Sequence, residues 1–327
     1  MRVTVRHAGF LTTVQDLGRR GFQRFGVSIG GALDHHALRV ANLLVNNSEN
    51  AAGLEITLGG FQCQFDDQRL IAWCGGRFEV RIGSISLPAG HVGVVDPGEE
   101  LTIGAPEIGC RAWLAISGGV DVPPILESRS TDLRADFGGL DGRALRSGDV
   151  IRLARQPNSE DHPAGLSTNG KISAWSAPVD WSNTARERPV LRFVRGLDWN
   201  RFHPSSHQVL TSAAFNVSPD SDRMGARLDG PLLWQEDRRD LISEAVIPGT
   251  IQVPPSGKPI LLLGDCQTIG GYPKIGHVIA VDLPIAGQLR PGDQVRLREV
   301  SLAQAHRLLF QRERDFGLFR VGLETRG

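Results

Sequence analysis

The sequence predicts a mainly β protein made of two β-barrel-like halves with a few short helices. Short Val-, Ile- and Leu-rich runs recur between Gly, Pro and Asp clusters, long helical periodicity is scarce, and one motif occurs once in each half. The runs fall at residues 70–73, 78–82, 84–87, 92–95, 100–103, 112–116, 150–153, 190–194, 250–253, 260–263 and 294–298. Two helices stand out. Asp34 is placed to cap residues 35–45, where Ala37, Leu38, Ala41, Leu44 and Val45 share a face, and Ser301 is placed to cap a last helix from Leu302 to about Arg314. The repeated motif is Leu145-Arg146-Ser147-Gly148-Asp149-Val150-Ile151-Arg152-Leu153 against Leu289-Arg290-Pro291-Gly292-Asp293-Gln294-Val295-Arg296-Leu297, each a turn feeding a strand.

A chain of 327 residues is long for one core, so two domains are expected. Residues 1–155 form the first, with helix 35–45. Residues 156–189, rich in Ser, Pro, Asn and charge, form a linker in which Trp175 and Trp181 are expected to pack on something. Residues 190–327 form the second domain with the terminal helix. The 36 basic and 36 acidic residues balance and make no basic stripe, which argues against nucleic-acid binding. Apolar stretches fall well short of the roughly 18 residues a membrane helix needs, and the N-terminus has no signal-peptide pattern, so a cytoplasmic protein is expected. Cys63, Cys74, Cys110 and Cys266 form no C-x-x-C pair and are expected to be reduced and partly buried.

The chemistry concentrates in one connection. Gly264-Asp265-Cys266-Gln267-Thr268-Ile269-Gly270-Gly271-Tyr272-Pro273-Lys274 lies between apolar runs 259–263 and 278–281, both read as buried strands, and joins an acid, an amide, hydroxyls and an amine to flexible backbone. Gly270 and Gly271 allow close approach to a ligand and N–H groups aimed at an anion; Gly-Gly followed by X-Pro equally marks a plain turn. Gly26-Val27-Ser28-Ile29-Gly30 fits the G-x-S-x-G nucleophile pattern, yet the charged, glycine-punctuated segment before it is no buried strand. His35 and His36, adjacent on a helix, point about 100° apart, cannot chelate one metal and read as solvated; no metal site is expected. The chain carries no Walker loop, no dinucleotide fingerprint and no biotinyl-lysine Met-Lys-Met signal.

Leu11-Thr12-Thr13-Val14-Gln15-Asp16-Leu17-Gly18-Arg19, Gly31-Ala32-Leu33-Asp34 and Leu54-Glu55-Ile56-Thr57-Leu58-Gly59-Gly60 resemble the N-terminal signature of the biotin-dependent carboxyltransferase family, which includes the 5-oxoprolinase C subunit, KipA and the second subunit of allophanate hydrolase. The resemblance continues through residues 118–124, 128–133 and 138–143, Ser221-Asp222-Arg223-Met224-Gly225 and residues 267–275, nearly the whole chain. It implies a cyclophilin-like barrel and a KipI-like partner, with a LamB/YcsF-type subunit in the 5-oxoprolinase setting. There the complex opens 5-oxoproline to glutamate with ATP. The alternatives it implies are the carboxyltransferase component of a urea or amide carboxylase, with biotin brought by a carboxylase partner, and a regulatory binding protein.

Within the matched segments, Lys274, Asp265 and Glu244 are the catalytic candidates. Gln267, Thr268, Gly270, Gly271, Tyr272, Arg223, Arg19, Asp16 and Glu55 are the substrate-binding candidates. Lactam or urea activation puts negative charge on an oxygen, which cations and fixed N–H donors stabilise, while carboxylates serve as base or amide contact. For each acid and arginine a plain salt bridge is the competing reading. Relatives often carry Tyr where this chain has Ala226, which suggests a missing aromatic wall. They often have Gly-Pro near Asp198, and Gly where Ala245 stands.

Overall fold

The computed structural model describes residues 1–156, 170–237 and 241–325, which divide into two compact units. The first comprises residues 1–19, 30–185 and 317–327; the second comprises residues 20–29 and 186–316. Both are built mainly of β-strands, as the sequence predicts.

The first unit contains β1 (Arg2–Ala8), β2 (Leu11–Gln15), α1 (His35–Leu44), β3 (Gly53–Thr57), β4 (Phe61–Phe65), β5 (Arg69–Ile82), β6 (Ile85–Ser86), β7 (His91–Val95), β8 (Glu100–Ile116), β9 (Val150–Arg152), β10 (Ile172–Ser176) and α2 (Val179–Ser182). Among the described residues its strands make one ten-stranded sheet with the main path β10-β7-β5-β8-β4-β1-β9. Runs 70–73 and 78–82 are a single strand, as are runs 100–103 and 112–116, because β5 and β8 pair along their length with register shifts near Gly75 and Phe78. Alternating side chains such as Val3, Val5, Phe61, Cys63 and Phe65 fill the core between Trp73, Leu101 and Leu114.

Asp34 caps α1 as expected: its Oδ1 accepts from Ala37 N at 2.9 Å, and Oδ2 accepts from the Thr184 hydroxyl. In the expected linker, residues 157–169 lie outside the described residues. The remainder carries β10, hydrogen-bonded to β7, and α2, and both belong to the first unit. Trp181 packs edge-on to His36 and Phe319, at 5.1 and 5.5 Å between ring centroids. His36 is therefore a buried packing residue, in place of the solvated one expected.

The second unit contains β11 (Val190–Arg195), α3 (Pro204–Ser212), β12 (Ala214–Val217), β13 (Gly225–Asp229), β14 (Glu244–Ala245), β15 (Thr250–Gln252), β16 (Ile260–Leu262), β17 (Ile269–Gly270), β18 (Lys274–Val278), α4 (Leu283–Ala286), β19 (Gln294–Glu299) and most of α5 (Leu302–Glu324). Seven of the described strands close a barrel in the order β11-β18-β15-β16-β13-β12-β19, the seam being the parallel pair β11 and β19. Closure leaves no free edge among them. Phe193, Phe215, Leu228, Ile251, Leu261, Ile275 and Val295 are buried residues of these strands.

The run expected as a strand at 278–281 is instead the end of β18 and a 3₁₀ turn at Ala280–Asp282. Asp282 enforces the turn. Its buried carboxylate accepts the Arg192 backbone N–H at 2.7 Å and the guanidinium at 2.9 and 2.5 Å, which raises the arginine's pKa. Ser301 Oγ accepts from Gln304 N at 3.2 Å, as expected of a cap, but α5 continues ten residues past Arg314. Gly317 costs the helix about 1 kcal/mol against Ala, and burial of Phe316 next to it offsets that.

The repeated motif is a repeated turn. Arg146 N donates to Asp149 Oδ2 at 2.7 Å and Asp149 N to Arg146 O at 3.1 Å; Arg290 and Asp293 make the same two bonds at 3.0 and 3.0 Å. Gly148 and Gly292 hold φ near +92° and +90°, which a side chain rarely adopts. Each turn then hands its chain to β9 or β19.

Candidate functional site on the barrel

The connection between β16 and β18 is more than a tight turn. Residues 269–270 form β17, which pairs antiparallel with β14, Glu244 opposite Gly270 and Ala245 opposite Ile269, and Val246 N donates to Thr268 O at 3.0 Å. This small two-stranded flap is held to the barrel by Val246 and Cys266 packing on Leu262, with Ile260 beside them. Burial, and then the neighbouring Asp265 carboxylate, push the Cys266 thiol up to about 12, so it serves as a small apolar side chain. All four cysteines are free and buried.

Asp265 and Arg223 meet at the root of the flap. The guanidinium donates twice to the carboxylate, at 2.7 and 3.1 Å, and both side chains are 7% exposed. The pair ties the loop to the strand entry at Met224, whose carbonyl accepts from Leu263 N at 2.8 Å. Asp265 is thus engaged as a structural partner of Arg223.

Lys274 opens β18 and is 2% exposed, with its Nζ 3.0 Å from Glu244 Oε2 and 3.9 Å from Asp198 Oδ2. Asp198 Oδ2 also accepts the Lys274 backbone N–H at 2.9 Å. Glu244 is 57% exposed, so one partner of a buried ammonium reaches solvent on the flap. Three residues on along β18, His277 Nδ1 lies 3.2 Å from Thr250 Oγ1; burial, and then the Lys274 charge, hold its pKa below 6.5.

Beside the flap lies a cavity of about 440 Å³ whose lining includes Gln267, Tyr272, Gln252, Met224, Arg227 and Leu262. Its floor is the outer face of β13, β16 and β15. Register puts Arg227 beside Ile260, Ile260 beside Gln252, and Gln252 beside Lys274, while Ala226, Leu261 and Ile251 are buried on the opposite face. Ala226 therefore faces the barrel interior, and an aromatic there would not have walled this cavity. Gln252 is 1% exposed; its Oε1 accepts from Gln267 Nε2 and its Nε2 donates to Tyr272 O, both at 3.4 Å. A Cβ on Gly270 would lie 2.6 Å from Gln252 Nε2, at ordinary φ, so a side chain there would displace the Gln252 amide. Gly271 follows, with Leu241 O and Ser243 Oγ each 3.4 Å from where its Cβ would stand.

Asp16, Arg19 and Glu55 belong to the first unit and are bonded within it. Asp16 accepts from Ser128 and Ser130 hydroxyls at 2.6 Å each, from Arg129 N at 2.6 Å and from Gly18 N at 2.8 Å. Arg19 donates to Ile125 O at 3.2 Å and to Ser130 O, and stacks 4.5 Å from the Phe137 ring centroid. Glu55 accepts from Leu33 N at 2.8 Å and lies 3.7 Å from Arg111 Nε. Ser28 follows a 3₁₀ turn at Gln23–Phe25 with no strand before it, so the nucleophile-elbow context is missing. No cluster of three or more His, Cys, Asp or Glu suited to a metal occurs among the described residues, and no described helix is long and apolar enough to cross a membrane.

Gln252 is the residue that sequence reading passed over. In sequence it is one polar position in a short strand run; only its cross-strand register puts its amide between Arg227 and Lys274.

This chain belongs to the carboxyltransferase domain family, subdomains A and B, whose pattern matches residues 25–299. It is 37% identical over 309 residues to the 5-oxoprolinase C subunit of Escherichia coli (strain K12), covering 94% of each chain. The identity to the 5-oxoprolinase C subunit of Haemophilus influenzae is 36% over 296 residues, 90% of each. The crystal structure of Kluyveromyces lactis urea carboxylase superposes with a TM-score of 0.86 at 28% identity, covering 96% of this chain and 28% of that one.

Proposed function

We propose that this chain is the C-type subunit of a 5-oxoprolinase, a cytoplasmic hydrolase complex that opens 5-oxoproline to glutamate at the expense of ATP. It works there with a KipI-like subunit and a LamB/YcsF-type subunit. The observation that carries this is coverage: the resemblance to the Escherichia coli protein extends over 94% of both chains, whereas the urea carboxylase corresponds over 28% of its length.

The barrel-side cavity suits the chemistry. Opening a lactam loads negative charge on its carbonyl oxygen, and amide donors and a buried ammonium aimed at one spot lower that barrier. Gln267 and Gln252 supply the amides. Lys274 lies outside the cavity's lining but beside Gln252 in register, where it brings a buried ammonium paired with the solvent-reaching Glu244. Tyr272 and Met224 give the apolar sides. Nucleoside triphosphate does not fit here: Asp220, Asp222 and Asp229 line the same cavity against Arg227 and Lys258, the wrong balance for several phosphate charges. ATP therefore enters through the partner subunits, where it would activate the amide, and biotin would enter only with a carboxylase partner.

The test is glutamate release from 5-oxoproline by the co-expressed subunits, with and without ATP and with this chain omitted. Release that needs both ATP and this chain supports the reading. Carboxylation of urea or another amide in its place overturns it in favour of the carboxyltransferase alternative, for which the urea carboxylase superposition is the specific support. Neither activity, with a stable KipI-like complex, would favour regulation.

A further inference from the structure

We infer that Arg227 is the carboxylate anchor of this cavity and Gln252 its amide reader, so that the ligand is a small lactam or amide bearing a carboxylate. The inference rests on the substrate class of the proposed function and adds the residues that would select it.

The geometry comes first. Arg227, Ile260 and Gln252 are neighbours on three successive strands, so the cation and the buried amide stand two strand spacings apart, about 10 Å between backbones. An arginine side chain reaching along the face closes that distance to the span of a small acid amide, with the apolar Ile260 between them to underlie a ring. Gln252 can make four hydrogen bonds, and among the described residues it makes two, both at 3.4 Å, beyond the usual range. A buried amide so weakly satisfied is complementary to a ligand amide, which offers one donor and one acceptor in the same plane.

Charge then singles out Arg227. Lys258 is paired with Asp229 at 2.8 Å, which holds that carboxylate below its usual range. Asp222 accepts the N–H groups of Met224 and Gly225 at 2.8 and 3.2 Å. Asp220 is exposed at the rim. The Arg227 guanidinium makes no ion pair or side-chain hydrogen bond among the described residues, although its backbone N–H is bonded to Ser221 Oγ at 3.0 Å. It is the cation of the lining left for a ligand anion.

Equilibrium binding of labelled 5-oxoproline and of 2-pyrrolidinone, the same lactam without the carboxylate, to the assembled complex tests this. Wild type is compared with Arg227→Gln and Gln252→Leu. Arg227→Gln should weaken 5-oxoproline about tenfold to a hundredfold and leave 2-pyrrolidinone unchanged, the loss expected for one charge-assisted contact. Gln252→Leu should weaken both. Equal 5-oxoproline affinity in wild type and Arg227→Gln overturns the inference, as does a wild-type complex that binds neither ligand. Arg227-dependent binding without any ATP-driven glutamate release would instead refute the proposed function and leave the anchor standing.

Discussion

Replacing Asp265 with alanine separates a structural from a catalytic role for the acid at the root of the flap. The Arg223 and Asp265 side chains are each 7% exposed and share two hydrogen bonds of 2.7 and 3.1 Å. Removing the carboxylate takes two hydrogen bonds and a counter-charge from a buried guanidinium, and breaking such a pair from one side costs about 3–5 kcal/mol. For a chain of 327 residues, at about 2.1 cal/mol/K of unfolding entropy per residue, that is a fall in Tm of roughly 4–7 °C. Scanning calorimetry of the purified chain measures it. The double variant Arg223→Met with Asp265→Leu should recover most of the loss, because two apolar side chains of similar volume replace an ion pair at little net cost. If Asp265→Ala melts within about 2 °C of wild type and the complex is nonetheless dead, the structural assignment is wrong and the carboxylate acts on substrate.

Gly270→Ala should leave the fold intact but displace the Gln252 amide, whose Nε2 would be 2.6 Å from the new methyl, and so raise KM for 5-oxoproline; an unchanged KM would contradict the amide's role. His277 should titrate below its ordinary 6.5, which NMR of the ring reads directly. With that direction, the unfolded chain binds more protons than the folded one below about 6.5, so this residue's contribution is complete above that pH and is lost as pH falls. Tm should therefore drop from about pH 7.5 to about pH 5.5 less steeply in His277→Gln than in wild type. Asp34→Ala removes both the cap on Ala37 N and the acceptor for Thr184, and denaturant unfolding should register a loss of about 2–3 kcal/mol.

Much of the barrel was legible in short apolar runs, because a strand buried on one face must alternate or concentrate Val, Ile and Leu. The caps at Asp34 and Ser301 were legible for the same local reason: one side-chain oxygen and one orphan N–H settle them. What remained hidden depends on register. Residues 70–82 read as two strands because Gly75 and Gly76 punctuate them, yet pairing with β8 carries the chain straight through. The flap strands β14 and β17 are two residues each, too short for any periodicity, and exist because they pair with one another.

The candidate site divides along the same line. The dense connection 264–274 announced itself by composition, but composition alone did not separate Asp265, committed to Arg223, from Gln267 and Tyr272, which face the cavity. Asp16, Arg19 and Glu55 stood out as charges in matched segments; their bonds within the first unit are long-range in sequence and invisible there.

The most direct measurement is kcat for ATP-dependent glutamate release by the assembled complex, wild type beside Lys274→Ala, with assembly checked by gel filtration. Lys274 is 2% exposed and its main partner, Glu244, reaches solvent, so its loss removes the charge proposed to stabilise the reacting oxygen without leaving Glu244 buried. The expected result is a fall of about a hundredfold to a thousandfold with the complex intact. An unchanged kcat in an intact complex would contradict the proposed role of Lys274 in opening the lactam.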